Sequence, residues 1–238
     1  VSGTVTLNGA LPTTGGACSG SKAVVTLTDA AQGVSFAALV PCAAASFAWS
    51  GSVYPGTYLV TVAGTSGGSN LPEAPYQANP ALTVNADVAN QVLDVRTVTI
   101  GGSLTLNGTT PTTGATCTVR PTDTKAEVLL VDAKNGYKFV LPVLCSSAGF
   151  SWSGPIYRGQ YLVTAHGVYG SSYSNLSAVP YLHNPQLAVN GDLANQVIDI
   201  RTIDVGGTIK LDGAAPGTRQ PYCTSYPSLS KAVVVLTD

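Results

Sequence analysis

Three segments of the chain open almost identically: GTVTLNGALP from Gly3, GSLTLNGTTP from Gly102 and GTIKLDGAAP from Gly207, each followed by a cysteine, Cys18, Cys117 or Cys223. The first two copies stay in step to their ends, through FAWSG and FSWSG, YPGTYLVTV and YRGQYLVTA, YQANP and YLHNP, then NADVANQVLDVRT and NGDLANQVIDIRT. A period of about one hundred residues is too long for a solenoid turn or a propeller blade, and it fits a whole small domain with its own core. The repeat divides the chain into residues 1–100, residues 101–205 and the incomplete start of a third unit, residues 206–238. That third copy runs to Asp238 within KAVVVLTD, the counterpart of KAVVTLTD at Lys22 to Asp29. A fragment of that size buries too little to fold unaided, since chains below ~40 residues rarely do. We therefore expect the polypeptide to continue beyond Asp238 or, less simply, a second chain to complete the unit. With no methionine and no signal-peptide pattern, the sequence reads as a mature or excised stretch of something longer.

Charged residues make up 10% of the chain, the net charge is −1, and 26 glycines and 15 prolines punctuate a sequence rich in Val, Thr, Ser and Ala. Nothing is basic enough to attract nucleic acid or an anionic membrane. The mean hydropathy is slightly positive, yet no apolar run approaches the roughly 18 to 20 residues that span a bilayer. The expectation is an exported protein whose weakly charged surface tolerates close packing with neighbours.

The repeat explains the cysteines. Cys18 and Cys42 fall in the first copy, Cys117 and Cys145 in the second, and Cys223 in the third, where a partner would lie past Asp238. One disulfide per domain is the simplest account, and such bonds persist in an oxidising compartment. Metal thiolates would need clustered pairs such as C-x-x-C, and the sequence has none. Linkage of Cys223 to another chain is the alternative for the odd thiol.

Alternation with a period of two runs through every segment, which predicts an all-β fold. Aligning the copies orients the strands: Val25, Val128 and Val234 correspond, as do Leu27, Leu130 and Leu236, while the intervening Val24 becomes Glu127 and marks the solvent face. In the last strand Leu93 and Val95 match Ile198 and Ile200 on the inner face, leaving Asp94, Arg96, Asp199 and Arg201 outward as a solvated charged face. Asn8-Gly9, Asn107-Gly108 and Asp212-Gly213 fit tight turns with positive φ. Phe47 with Trp49, and Phe150 with Trp152, sit two apart and should fill the core.

About seven or eight short strands per repeat give a two-sheet antiparallel sandwich of the immunoglobulin-like or transthyretin-like kind. The string YPGTYLVTV at Tyr54 to Val62, preceded by GTVTLNG at Gly3 to Gly9, resembles the carboxypeptidase regulatory-like family and the related collagen-adhesin B-type repeats. The resemblance spans both full repeats and implies transthyretin-like β-sandwiches in tandem, as in bacterial surface proteins. Pro55 and Thr57 become Arg158 and Gln160 in the second copy. Some collagen-adhesin relatives carry a Lys-to-Asn isopeptide bond; neither complete repeat has a lysine in its first strand, so that bond is not carried over.

A repeated enzyme should repeat its chemistry. His166 and His183 are the only histidines, and their counterparts in the first copy are Ala63 and Ala78. No H-E-x-x-H or phosphate-cradling loop occurs, and no catalytic residue, metal ligand or cofactor is expected. Asn85, Asp87 and Asn90, like Asn190, Asp192 and Asn195, could offer oxygens to calcium, but they lack the later acidic ligand and fit Asx turns better. Asn107 and Asn175 stand in glycosylation sequons. Tyr169, Tyr173 and Tyr181 lie among Ser and Gly in GVYGSSYSNLSAVPY, a composition suited to a contact loop.

The remaining functional feature is the joint. From Arg96 the chain runs through TVTIGG into the next unit, and from Arg201 through TIDVGG into the third, with no flexible tether. Stiffly joined domains should stack nearly end to end, each adding on the order of 30 to 40 Å. The expected function is a non-catalytic extracellular stalk or filament at the cell surface, partnered by itself. The rival is an adhesin presenting its repeats to glycans or to another cell.

Overall fold

The computed structural model describes residues 1–29, 31–168, 172–203 and 206–216. Tyr169, Cys223, Val234 and Leu236 lie outside these residues. Two compact units are present, Val1–Arg201 and Thr202–Asp238.

The described residues of the first unit are predominantly β, with single helical turns at Thr116–Val119 and Ala148–Phe150. Residues of the first repeat supply β1 (Ser2–Leu7), β2 (Ser21–Asp29), β3 (Ser35–Pro41), β4 (Ala48–Ser50), β5 (Gly56–Gly64), β6 (Tyr76–Val84) and β7 (Gln91–Val95). Those of the second supply β8 (Val98–Leu106), β9 (Thr124–Asp132), β10 (Lys138–Leu144), β11 (Ser151–Ile156), β12 (Gly159–Gly167), β13 (Tyr181–Val189) and β14 (Leu193–Ile200). Each repeat builds a four-stranded antiparallel sheet, β3-β2-β5-β6 or β10-β9-β12-β13, and a three-stranded sheet, β4-β1-β7 or β11-β8-β14.

The two repeats bury their central strands identically: β2 and β9 share one alternating burial pattern, and β5 and β12 share another. Val25, Leu27, Val60 and Val62 from the larger sheet join Val5, Trp49, Leu93 and Val95 from the smaller in the core, and the second repeat does the same with Val128, Leu130, Trp152, Ile198 and Ile200. Each such fully buried side chain contributes roughly 1.5–3 kcal/mol relative to exposure. The buried residues of both repeats form one connected apolar cluster.

One pairing departs from the antiparallel expectation. β1 and β7 run parallel, from Gly3 opposite Gln91 to Leu7 opposite Val95, and β8 and β14 do likewise. Parallel neighbours need a long crossover, which the rest of each repeat provides. The repeated opening glycine permits the close pairing: a Cβ on Gly3 would sit 1.9 Å from the Gln91 carbonyl oxygen, and one on Gly102 would sit 1.7 Å from that of Gln196.

The turns follow the sequence. Asn8 and Gly9 have φ of 52° and 80°, Asn107 and Gly108 51° and 79°, and in the second unit Asp212 and Gly213 51° and 82°. Cys18 is bonded to Cys42 and Cys117 to Cys145, with Cα atoms 5.8 and 5.0 Å apart. Closing loops of 24 and 28 residues stabilises each repeat by about 3–4 kcal/mol in the chain-entropy account.

Candidate functional site: the joint between the repeats

Only Arg96 and Thr97 separate β7 from β8. Thr97 is clamped to the first hairpin turn: its N–H donates to Asn8 Oδ1 at 2.9 Å, and Asn8 Nδ2 donates to its hydroxyl at 3.0 Å. Beside it, Arg96 Nε donates to Asp94 at 3.0 Å. Asp94 also accepts from the Thr6 hydroxyl at 2.9 Å and from the Gly9 N–H at 2.8 Å. Partial burial pushes this carboxyl up, but the Gly9 and Thr6 bonds and Arg96 outweigh it and hold the group below its ordinary range. Asp199 repeats the arrangement with Gly108, Thr105 and Arg201 at 2.7, 2.8 and 3.0 Å. Asp94 thus organises the turn that grips the link, and Asp199 the matching turn of the second repeat, beyond the solvated face expected of them. On the far side of the link, the Thr99 N–H donates to Asp192 at 2.8 Å, tying β8 into its own repeat.

A second clamp is aromatic. In YPGTYLV and YRGQYLV the second tyrosine, Tyr58 or Tyr161, is fully buried and donates its hydroxyl back to the carbonyl of Tyr54 or Tyr157, at 2.6 and 2.8 Å. This fixes the corner and places the first tyrosine at the end of the sandwich. There Tyr157 donates to the carbonyl of Ala74 in the preceding repeat at 2.6 Å. Its ring lies 5.0 Å from that of Tyr76 and edge-on to Phe139 at 5.1 Å. Burial, with nearby Tyr161, Tyr76 and Tyr137, drives the Tyr157 phenol far above its ordinary value. Flanking this contact is a cleft of 630 Å³ whose walls include Tyr76, Lys134, Tyr157, Arg158 and Gln160.

Of the residues expected to form a contact loop, Tyr173 and Tyr181 lie within the described residues. Tyr173 is buried and donates to Asp123 Oδ2 at 2.8 Å, and that bond leads the causes raising its phenol. Tyr181 is half-buried against the core, and Tyr169 is outside the described residues. His166 stands opposite Glu127 in the β12–β9 ladder, Nε2 3.6 Å from Oε2. Among the described residues no group of three or more His, Cys, Asp or Glu is placed to hold a metal ion. Asn90 and Asn195 take left-handed conformations with φ of 58°, which asparagine tolerates better than most residues. Asn175 of the second sequon accepts from the Thr112 N–H at 2.8 Å.

Two buried lysines carried a signal that motif-reading passed over: lysine recurs at 22, 125 and 231. The Lys22 and Lys125 ammonium groups lie 4.8 and 4.3 Å from the Phe47 and Phe150 ring centroids. Lys22 donates to the Ala44 carbonyl, and Lys125 donates to those of Ser147 and Cys145 at 2.8 and 3.5 Å. Each lysine pins the turn that follows its disulfide. The joint itself was visible only as a short link, because Ala74, Tyr76 and Tyr157 are far apart in sequence.

No protein-family model matches the sequence, and no curated protein matches it. Among solved structures the chain is similar to two candidate adhesins from Bacteroides ovatus, one at 7% identity and TM-score 0.32 over 87% of this chain and 93% of that one. The other is at 9% identity and TM-score 0.30 over 90% of each chain. It is also similar to a leucine-rich repeat protein from Bacteroides thetaiotaomicron at 13% identity and TM-score 0.31, over 84% of this chain but only 26% of that protein's length.

Proposed function

We propose that this chain belongs to a non-catalytic structural repeat protein outside the cell or at its surface, whose domains stack into a stiff stalk or filament and associate with further copies. The observation that carries this reading is the doubly clamped joint. A two-residue link held by both ends of the Asn8 amide, together with a tyrosine bonded across to Ala74, favours one relative orientation over free swinging. Two disulfides support an oxidising compartment, and a weakly charged surface suits close lateral packing.

Electron microscopy of the native secreted material, with intact mass taken from the same sample, tests this reading. Ordered fibres with an axial repeat matching a whole number of domains are expected. Dispersed, freely bending particles with no self-association would overturn it. A second reading, an adhesin, draws on the inter-repeat cleft, whose aromatic faces and amide, guanidinium and ammonium donors suit a glycan. Glycan-array binding that Tyr76→Ala abolishes, by a protein that stays monomeric, would favour it.

A further inference from the structure

The second repeat walls the cleft beside the Tyr157–Tyr76 contact with Lys134 and Tyr137 from the β9–β10 hairpin and with Arg158 and Gln160 from the corner before β12. At the same places the first repeat has Ala31, Val34, Pro55 and Thr57. Both repeats build the hairpin and the corner alike. Asp29 and Asp132 each accept two backbone N–H groups of their own hairpin, and Tyr58 and Tyr161 bond back across the corner. The fold therefore requires no cation, amide or extra aromatic ring here, and the second repeat carries all three.

The chain has only 11 basic residues, so their placement is informative. Lys22 and Lys125 are buried, and Arg96, Arg120 and Arg201 pair with Asp94, Asp123 and Asp199. Lys134 and Arg158, with the neighbouring Lys138, are exposed and have no ion-pair partner among the described residues. Asp132, an acidic residue of the cleft wall, is committed through Oδ1 to the Lys134 and Asn135 N–H groups at 3.1 and 2.6 Å. Tyr76 and Tyr137 line the cleft from opposite repeats, each only half-buried. A second cleft, of 500 Å³, shares Tyr76, Tyr157 and Arg158 with the first, so an extended polymer can pass Arg158 into both.

We propose that the joint binds an acidic polysaccharide, a sugar polymer bearing carboxylates such as a uronic-acid chain. The C–H face of a pyranose rests against the open parts of the Tyr76 and Tyr137 rings, whose π-faces are negative. Arg158 offers its planar fork to a sugar carboxylate, and Lys134 adds a second positive charge. Gln160 hydrogen-bonds to ring hydroxyls. The cleft's 630 Å³ falls within the ~300–1,000 Å³ of ligand sites. This names the ligand class of the cleft on which the adhesin reading draws; it rests on that reading and needs no self-association.

The test is isothermal titration calorimetry of the full chain with a galacturonate hexamer, neutral maltohexaose and poly-L-glutamate. The galacturonate hexamer should bind. Maltohexaose, which has no carboxylates, and polyglutamate, which has no sugar rings, should each bind at least about 10-fold more weakly. Lys134→Ala and Tyr137→Val place the first repeat's residues on a hairpin of the same build, and Arg158→Ala changes an exposed position; thermal melting checks that all three fold. Each charge removal should weaken the hexamer about 10-fold, and Tyr137→Val about 3- to 10-fold. Arg120→Ala, outside the cleft, should leave binding unchanged. Maltohexaose binding as tightly as the galacturonate hexamer would overturn the acidic ligand and leave the adhesin reading with a neutral glycan. Polyglutamate binding as tightly would overturn the sugar and leave a site for acidic polymers in general. A galacturonate hexamer that fails to bind, or that binds regardless of Lys134→Ala and Arg158→Ala, would overturn the proposal, while the glycan array and the microscopy still decide between the two readings of function.

Discussion

Asp94 and Asp199 each combine a strand position that points outward with three hydrogen bonds that make it a structural post. Both carboxyls are held below the ordinary value of 3.8. A carboxyl with a depressed folded pKa contributes stability that is present above its unfolded pKa and lost as pH falls through the folded one. The native protein should therefore lose stability below about pH 4, and an Asp94→Asn, Asp199→Asn variant should lose less over the same interval, as read by urea denaturation across an acid series. Lys125 is a different case, because burial lowers its pKa while two carbonyls receive its ammonium group. Lys125→Met keeps the stem but strands those acceptors, and should cost about 1–3 kcal/mol in the same denaturation experiment.

At the scale of strands, the parallel β1–β7 and β8–β14 pairs depend on glycine. Gly102→Ala would drive a methyl group into the Gln196 carbonyl. Overpacking of this kind costs roughly 1–3 kcal/mol, so its thermal midpoint should fall while Gly108→Ala, whose Cβ meets nothing within 4 Å, acts through its φ of 79° alone. Sequence alignment of the copies was enough to orient the strands: Val25, Leu27, Leu93 and Val95 and their second-repeat counterparts Val128, Leu130, Ile198 and Ile200 are buried as their period-two spacing predicts. The Asn-Gly turns were equally legible, since positive φ restricts which residues serve. The parallel pairing was not, because alternation says which face is inward and nothing about which strand lies alongside. Nor was the inward turn of Tyr173, whose Ser- and Gly-rich surroundings read as surface while its hydroxyl is committed to Asp123.

For the first unit as a whole, the joint decides how the sandwiches behave together. Removing the hydroxyl in Tyr157→Phe should cost about 1 kcal/mol, and removing the ring in Tyr157→Ala about 2–4 kcal/mol of coupling between the repeats. Combined with Asn8→Ala, the loss should broaden the distance distribution in small-angle scattering and separate the melting of the two repeats. A scattering curve unchanged from the native protein would show that the link alone sets the orientation.

The pairing of first with last strand also determines how these domains meet tension. β1 begins at Ser2 beside the start of β7, and β7 ends at Val95 beside the end of β1. A pull on the two ends of a repeat therefore runs along the paired strands and loads their five residue pairs together in shear, with no free edge from which to peel them one by one. Forced unfolding is governed by the unfolding barrier and not by equilibrium stability. Each repeat is thus built to carry a longitudinal load, and its disulfide limits how much chain could be drawn out if the shear contact gave way.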